Sequence, residues 1–152
     1  MARRGRGRVQ ARLRSRVRVS NIFLGGTYEA EFEAESLRRG FIPHRPTLPV
    51  AWDFLVDCPK GVLKVQVKGT SNASTEDGGN SFKIMTSQGT NKKKIIGDEV
   101  DVIACWCDPV RVWYIIPTSA KPTKCIRLFA ATPRSSSKYE KFRENWSPFY
   151  DH

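Results

Sequence analysis

The chain has 152 residues, 39% hydrophobic and 27% charged, a size that builds one compact domain with a modest core. Lys and Arg total 26 against 15 Asp and Glu, a net charge of +11 that favours a polyanionic partner through counterion release. No run reaches the roughly 18 apolar residues that a membrane span needs, so a soluble chain with no membrane partner is expected.

The charge is uneven. Residues 1–18 hold eight arginines, among them Arg12, Arg14, Arg16 and Arg18, and no acid, leaving 18 basic groups against 15 acidic ones in the remainder. Like charges in a block repel, so residues 1–20 read as a basic arm that stays flexible until a partner neutralises it, and residues 21–152 as the folded domain. The arginine fork suits phosphate contacts. A solubility tail or an organelle transit peptide has the same composition, whereas a secretory signal would need an apolar stretch that is missing.

Residues 25–41 carry helix signals: Thr27 as N-cap, Glu29 and Glu31 in the first turn, Arg38 and Arg39 in the last, and Gly40 as the stop. Ala30, Ala34 and Leu37 form its apolar stripe, with Glu29 and Glu33 bordering it as ordinary complements to the helix dipole. The three prolines of IPHRPTLP exclude regular structure there. VAWDFLVD (50–57) and VLKVQVKGT (62–70) read as strands joined by the turn CPKG, and the second alternates strictly. Leu63, Val65 and Val67 face one way, Lys64, Gln66 and Lys68 the other. A polar loop over 71–80 leads to a short strand over 81–87, then to a basic loop with Lys92, Lys93 and Lys94. Residues 101–107 and 110–117 read as a hairpin turning at Asp108 and Pro109, and 138–146 as a terminal helix. These elements predict an α+β or α/β domain with a mostly antiparallel sheet.

Cys58, Cys105, Cys107 and Cys125 do not form a disulfide framework, and His44 and His152 lie too far from any cysteine pair to complete a zinc site. So few histidines also argue against a Ser–His–Asp or Cys–His enzyme. A reduced, intracellular protein fits this usage. Trp106, Trp113 and Trp146 read as core rather than as a base-stacking platform.

The sharpest feature is strand 62–70. Gln66 and Lys68 stand side by side, and pairing with the preceding strand brings Asp53 close; Glu29 joins them if the helix packs on that sheet. Converging carboxylates repel unless a cation answers them. Mg²⁺ takes one or two carboxylates with retained waters, stabilises charge on a phosphoryl oxygen and acidifies bound water. A neighbouring lysine orients the nucleophile. In a basic protein this set points to phosphodiester hydrolysis. The plainer reading, polar surface on a non-catalytic nucleic-acid-binding protein, uses the same residues without chemistry.

The segments TYEAEFEAESLRRGF, AWDFLVD, LKVQVKGTS, FKIMTSQGTNKKK, DEVDVIACW, VWYIIP and KYEKFRENW, taken in this order, resemble the PD-(D/E)XK nuclease superfamily. The likeness runs to small single-domain endonucleases of the group I intron homing type and, more distantly, to archaeal Holliday-junction resolvases. The resemblance implies a restriction-endonuclease-like fold with a central mixed β-sheet flanked by helices. It also implies Asp53 as metal ligand, Gln66 in the (D/E) position, Lys68 as the catalytic lysine and Glu29 facing the site. The Val67 carbonyl is a further metal ligand by analogy. By the same token the cofactor would be Mg²⁺, with Mn²⁺ able to substitute. DNA would be the substrate, bound by the arm and by Lys92–Lys94, and a homodimer or homotetramer would cut both strands. Two departures stand out: Trp52 precedes Asp53 where the family has proline, and Gln66 removes one negative charge.

Overall fold

The computed structural model describes residues 20–86, 99–133 and 136–151; the expectations for the arm and for Lys92, Lys93 and Lys94 lie outside them. One helix, α1 (Asn21–Arg38), precedes three strands: β1 (Ile42–His44), β2 (Phe54–Cys58) and β3 (Gly61–Thr70). Then come β4 (Phe82–Met85), β5 (Val102–Cys107), β6 (Val112–Pro117) and β7 (Cys125–Leu128). Strands β1-β2-β3-β5-β6 form a five-stranded sheet that is antiparallel except where β3 runs parallel to β5, and β4 pairs with β7 in a separate two-stranded sheet. The mixed α+β fold expected from the sequence is the one observed. None of the helices among the described residues is long and apolar enough to cross a membrane.

The helix begins six residues before the expected cap. Ser20 takes the N-cap position without a side-chain bond, and Thr27 lies inside the helix, its hydroxyl donating to the Leu24 carbonyl at 2.7 Å. Gly25 and Gly26 hid this start, because helix propensity is lowest at glycine after proline. The buried stripe is Tyr28, Phe32 and Ser36, whereas Leu37 is 60% exposed. Two aromatic rings bury far more apolar area than the alanine stripe, so they set the helix rotation. The C-terminus is as expected: Gly40 has φ +79°, its N–H donates to Leu37 and the Phe41 N–H to Ser36, the Schellman pattern.

Two other expectations change, and one strand is additional. Residues 42–44 do form a strand, against the reading from the prolines. Strand β1 is at the sheet edge, where the missing N–H of Pro43 costs no ladder bond. Strand β7 has no counterpart among the expected elements. Residues 138–146 form a single 3-10 turn, Glu140–Phe142, rather than a helix. Tyr139 and Phe142 feed the core on the β4/β7 side, while Trp146 and Phe149 feed the core under α1. A segment that supplies both faces of a sheet cannot keep one helical face.

The two cores sandwich the central sheet. Phe32 packs against Phe54, Trp113, Trp146 and Phe149 with ring centroids 5.4–6.4 Å apart. All three predicted core tryptophans are buried. On the other face lie Cys105 and Cys107, both buried; desolvation pushes the Cys107 thiol up to about 12, so it stays protonated.

Candidate active site

Strand β3 is twice as long as β2, and the site is built on the excess. The β2–β3 register ends at Phe54 opposite Val65, yet β3 continues to Thr70. Asp53 extends the pairing by one bond, its N–H donating to the Val65 carbonyl at 2.8 Å. Its side chain then takes over where backbone runs out: Oδ2 accepts the Val67 N–H at 2.7 Å. In an extended strand the N–H and C=O of a residue leave on the same side, so the Val67 carbonyl faces the same free edge as Asp53.

Alternation along β3 sends Val65 and Val67 into the core beneath α1 and puts Gln66 on the opposite face. Gln66 is 6% exposed. Its Nε2 donates to the Ala51 carbonyl at 3.1 Å. A carbonyl can only accept, which fixes the amide orientation. Gln66 Oε1 is buried and has no hydrogen-bond partner among the described residues. Leaving such an acceptor unmet costs about 1–3 kcal/mol.

Glu29, Asp53, Gln66, Val67 and Lys68 all line one open cleft of about 420 Å³ between the N-terminal half of α1 and the end of β3. Burial is the main force raising the Asp53 carboxyl above its ordinary range. The Val67 N–H opposes that, Glu29 adds to it, and the charges of Lys68 and Arg45 pull back. Lys68 is half-buried, and among the described residues no carboxylate lies within ion-pair distance of its ammonium. The oxygen donors are all hard: two carboxylates, an unmet amide oxygen and a strand carbonyl. That set suits a divalent cation such as Mg²⁺ far better than a soft metal.

Glu29 and Glu33 do not complement the start of the helix, because α1 begins too early for either to lie in its first turn. Arg45 answers their charge instead, through Nη1 to Glu29 at 2.8 Å and Nη2 to Glu33 at 2.7 Å. Sequence reasoning missed Arg45, which sits in the proline-rich segment with no local pattern to mark it. It also missed Tyr28, whose hydroxyl meets that of Ser71 at 2.5 Å across the cleft wall. Gly69 makes that approach possible: a Cβ there would lie 2.4 Å from the Tyr28 ring.

No curated protein matches the sequence. The solved structure of a bacterial homing endonuclease, I-Ssp6803I, superposes with a TM-score of 0.72 over 86% of this chain and 93% of that one. At 18% identity the likeness speaks for the fold. The sequence model of the PD-(D/E)XK endonucleases matches residues 24–148, which takes in α1 from its fourth residue, both sheets and every residue of the cleft from Leu24 onward. The chain belongs to the PD-(D/E)XK endonuclease family.

Proposed function

We propose that this endonuclease hydrolyses DNA phosphodiester bonds with Mg²⁺, Mn²⁺ substituting, and that it acts in the manner of a homing endonuclease. The observation that carries the reading is the buried, unmet Oε1 of Gln66, a residue that lines one cleft together with Glu29 and Asp53. Asp53, Gln66 and the Val67 carbonyl would hold the ion, with Glu29 in support. When bound, such an ion supplies charge stabilisation at the phosphoryl oxygen and a lower pKa for water. Lys68 holds the attacking water and the developing negative charge through its ammonium. Asp53, anchored by the Val67 N–H, keeps one carboxylate oxygen in fixed register with β3.

The basic arm, with Arg12, Arg14, Arg16 and Arg18, and the lysines Lys92–Lys94 clamp the backbone. Phosphate contacts position a duplex without reading its sequence. One cleft per chain implies a homodimer or homotetramer for a double-strand cut, acting on DNA inside the cell.

Wild type, Asp53→Ala and Lys68→Ala should be offered supercoiled plasmid, random linear duplex and an immobile four-way junction, with Mg²⁺ or EDTA. Mg²⁺-dependent cutting that falls at least about a hundredfold in both variants, with DNA binding retained, is the expected result. Preference for the junction would assign a resolvase-like substrate. Salt-sensitive binding without cutting, extended to a fragmented genomic library with Mn²⁺, would leave a binding protein and overturn the nuclease reading.

A further inference from the structure

Arg45 follows β1 and reaches back across the helix. Its guanidinium holds three groups at once: Glu29 at 2.8 Å, Glu33 at 2.7 Å, and the ring of Phe54, whose centroid is 4.7 Å away. The two carboxylates belong to residues one helical turn apart, and each meets a different nitrogen of the fork. A half-exposed ion pair adds only about 0–1 kcal/mol to stability, so this arrangement contributes little to the fold. What it does fix is geometry. With Oε2 of Glu29 bonded to Arg45, the carboxylate is favoured in one orientation at the cleft it lines. Phe54 directly follows Asp53, so the same guanidinium is braced against the residue next to the other carboxylate of the site.

We propose that Arg45 is a positioning residue for the active site: it locks the Glu29 carboxylate toward the cleft, and its charge tempers the site's attraction for the cation. The inference rests on the nuclease reading above. It explains how a cleft with Gln66 in the acid position gains order at Glu29 while giving up some of the remaining negative field. Lysine could supply the charge but not the fork, because a point charge cannot bridge two carboxylates in a fixed plane.

The test compares wild type, Arg45→Met and Arg45→Lys. Methionine keeps an unbranched stem against Phe54, and thermal unfolding checks that both variants fold. Ca²⁺ binding by calorimetry in the absence of DNA reads the field, and cleavage rate at saturating Mg²⁺ reads the positioning. Arg45→Met should bind Ca²⁺ at least about threefold more tightly, since a cation has left the site, yet cut at least about tenfold more slowly. Arg45→Lys should return Ca²⁺ affinity to near the wild-type value while its rate stays low. Wild-type Ca²⁺ affinity or wild-type rate in Arg45→Met overturns the proposal, as does full recovery of rate in Arg45→Lys. A wild-type protein that neither cuts nor binds Ca²⁺ would overturn the nuclease reading itself, and this one with it.

Discussion

Burial and the nearby Glu29 carboxylate raise the Asp53 carboxyl above the usual range, and two consequences follow in opposite directions. The ionised form is the one that serves a cation, so cleavage should fall on acidification with a midpoint above that of an ordinary aspartate. A rate profile from pH 4 to 8, at Mg²⁺ well below saturation so that the metal-free carboxyl titrates, checks this. For stability the sign reverses. A carboxyl whose pKa is higher folded than unfolded binds protons better in the native state. Its favourable contribution is therefore present at low pH and lost as pH rises through the folded value. Ionised Asp53 thus costs stability at neutral pH when no cation is present. Asp53→Asn keeps an acceptor for the Val67 N–H and removes the charge, so in EDTA it should melt above wild type at pH 7.5. The difference should vanish as pH falls below the native carboxyl's range. Equal melting temperatures at all pH values would contradict the electrostatic account.

The contact between α1 and β3 rests on a missing side chain. Gly69 lets the Tyr28 ring lie against the strand, and a Cβ at 2.4 Å would force the ring off and break its bond to Ser71. Gly69→Ala should destabilise by about 1–3 kcal/mol, the cost of overpacking, which lowers the melting temperature by about 2–4 °C per kcal/mol in a domain of this size. Combined with Tyr28→Ala it should cost clearly less than the sum of the two single changes, since residues in contact are non-additive. How much of this was legible in the sequence follows from range. The β2–β3 hairpin, the alternation of Gln66 and Lys68 against Val65 and Val67, and the β5–β6 hairpin are set by neighbours in sequence, and they read correctly. Strand β1 did not, because a proline rule written for central strands fails at an edge. The end of the chain did not either, because Tyr139, Phe142, Trp146 and Phe149 are divided between two cores that exist only after the sheet has formed. In the cleft, Glu29, Asp53, Gln66, Val67 and Lys68 were found by residue type and a family likeness. Arg45 and Tyr28 were not, since each gains its role from a partner 12 or more residues away.

At the scale of the whole molecule, charge and active site are arranged along the chain in a useful order. The arginine-rich segment ends at Arg18, and Asn21, three residues later, already lines the cleft. Under the proposed function, DNA held by that segment would lie within a few residues' reach of the cleft. Deleting residues 1–19 should weaken DNA binding and flatten its dependence on salt. The expected change in slope is up to about 7 in log K against log salt if all eight arginines meet phosphates. Fluorescence anisotropy between 50 and 300 mM salt measures it, and an unchanged slope would place the phosphate contacts elsewhere.

The overhang of β3 beyond β2 has one more effect. A strand edge with free main-chain groups is a template on which another chain can build. At this edge the next pairing position is filled by the Asp53 carboxylate, which accepts the Val67 N–H but offers no donor of its own and brings a charge that a neutral strand would have to desolvate. Asp53, the proposed metal ligand, should thereby also disfavour strand addition between copies of the protein at this edge. Removing that charge with an apolar side chain should therefore make Asp53→Leu self-associate more than wild type on concentration, which static light scattering measures.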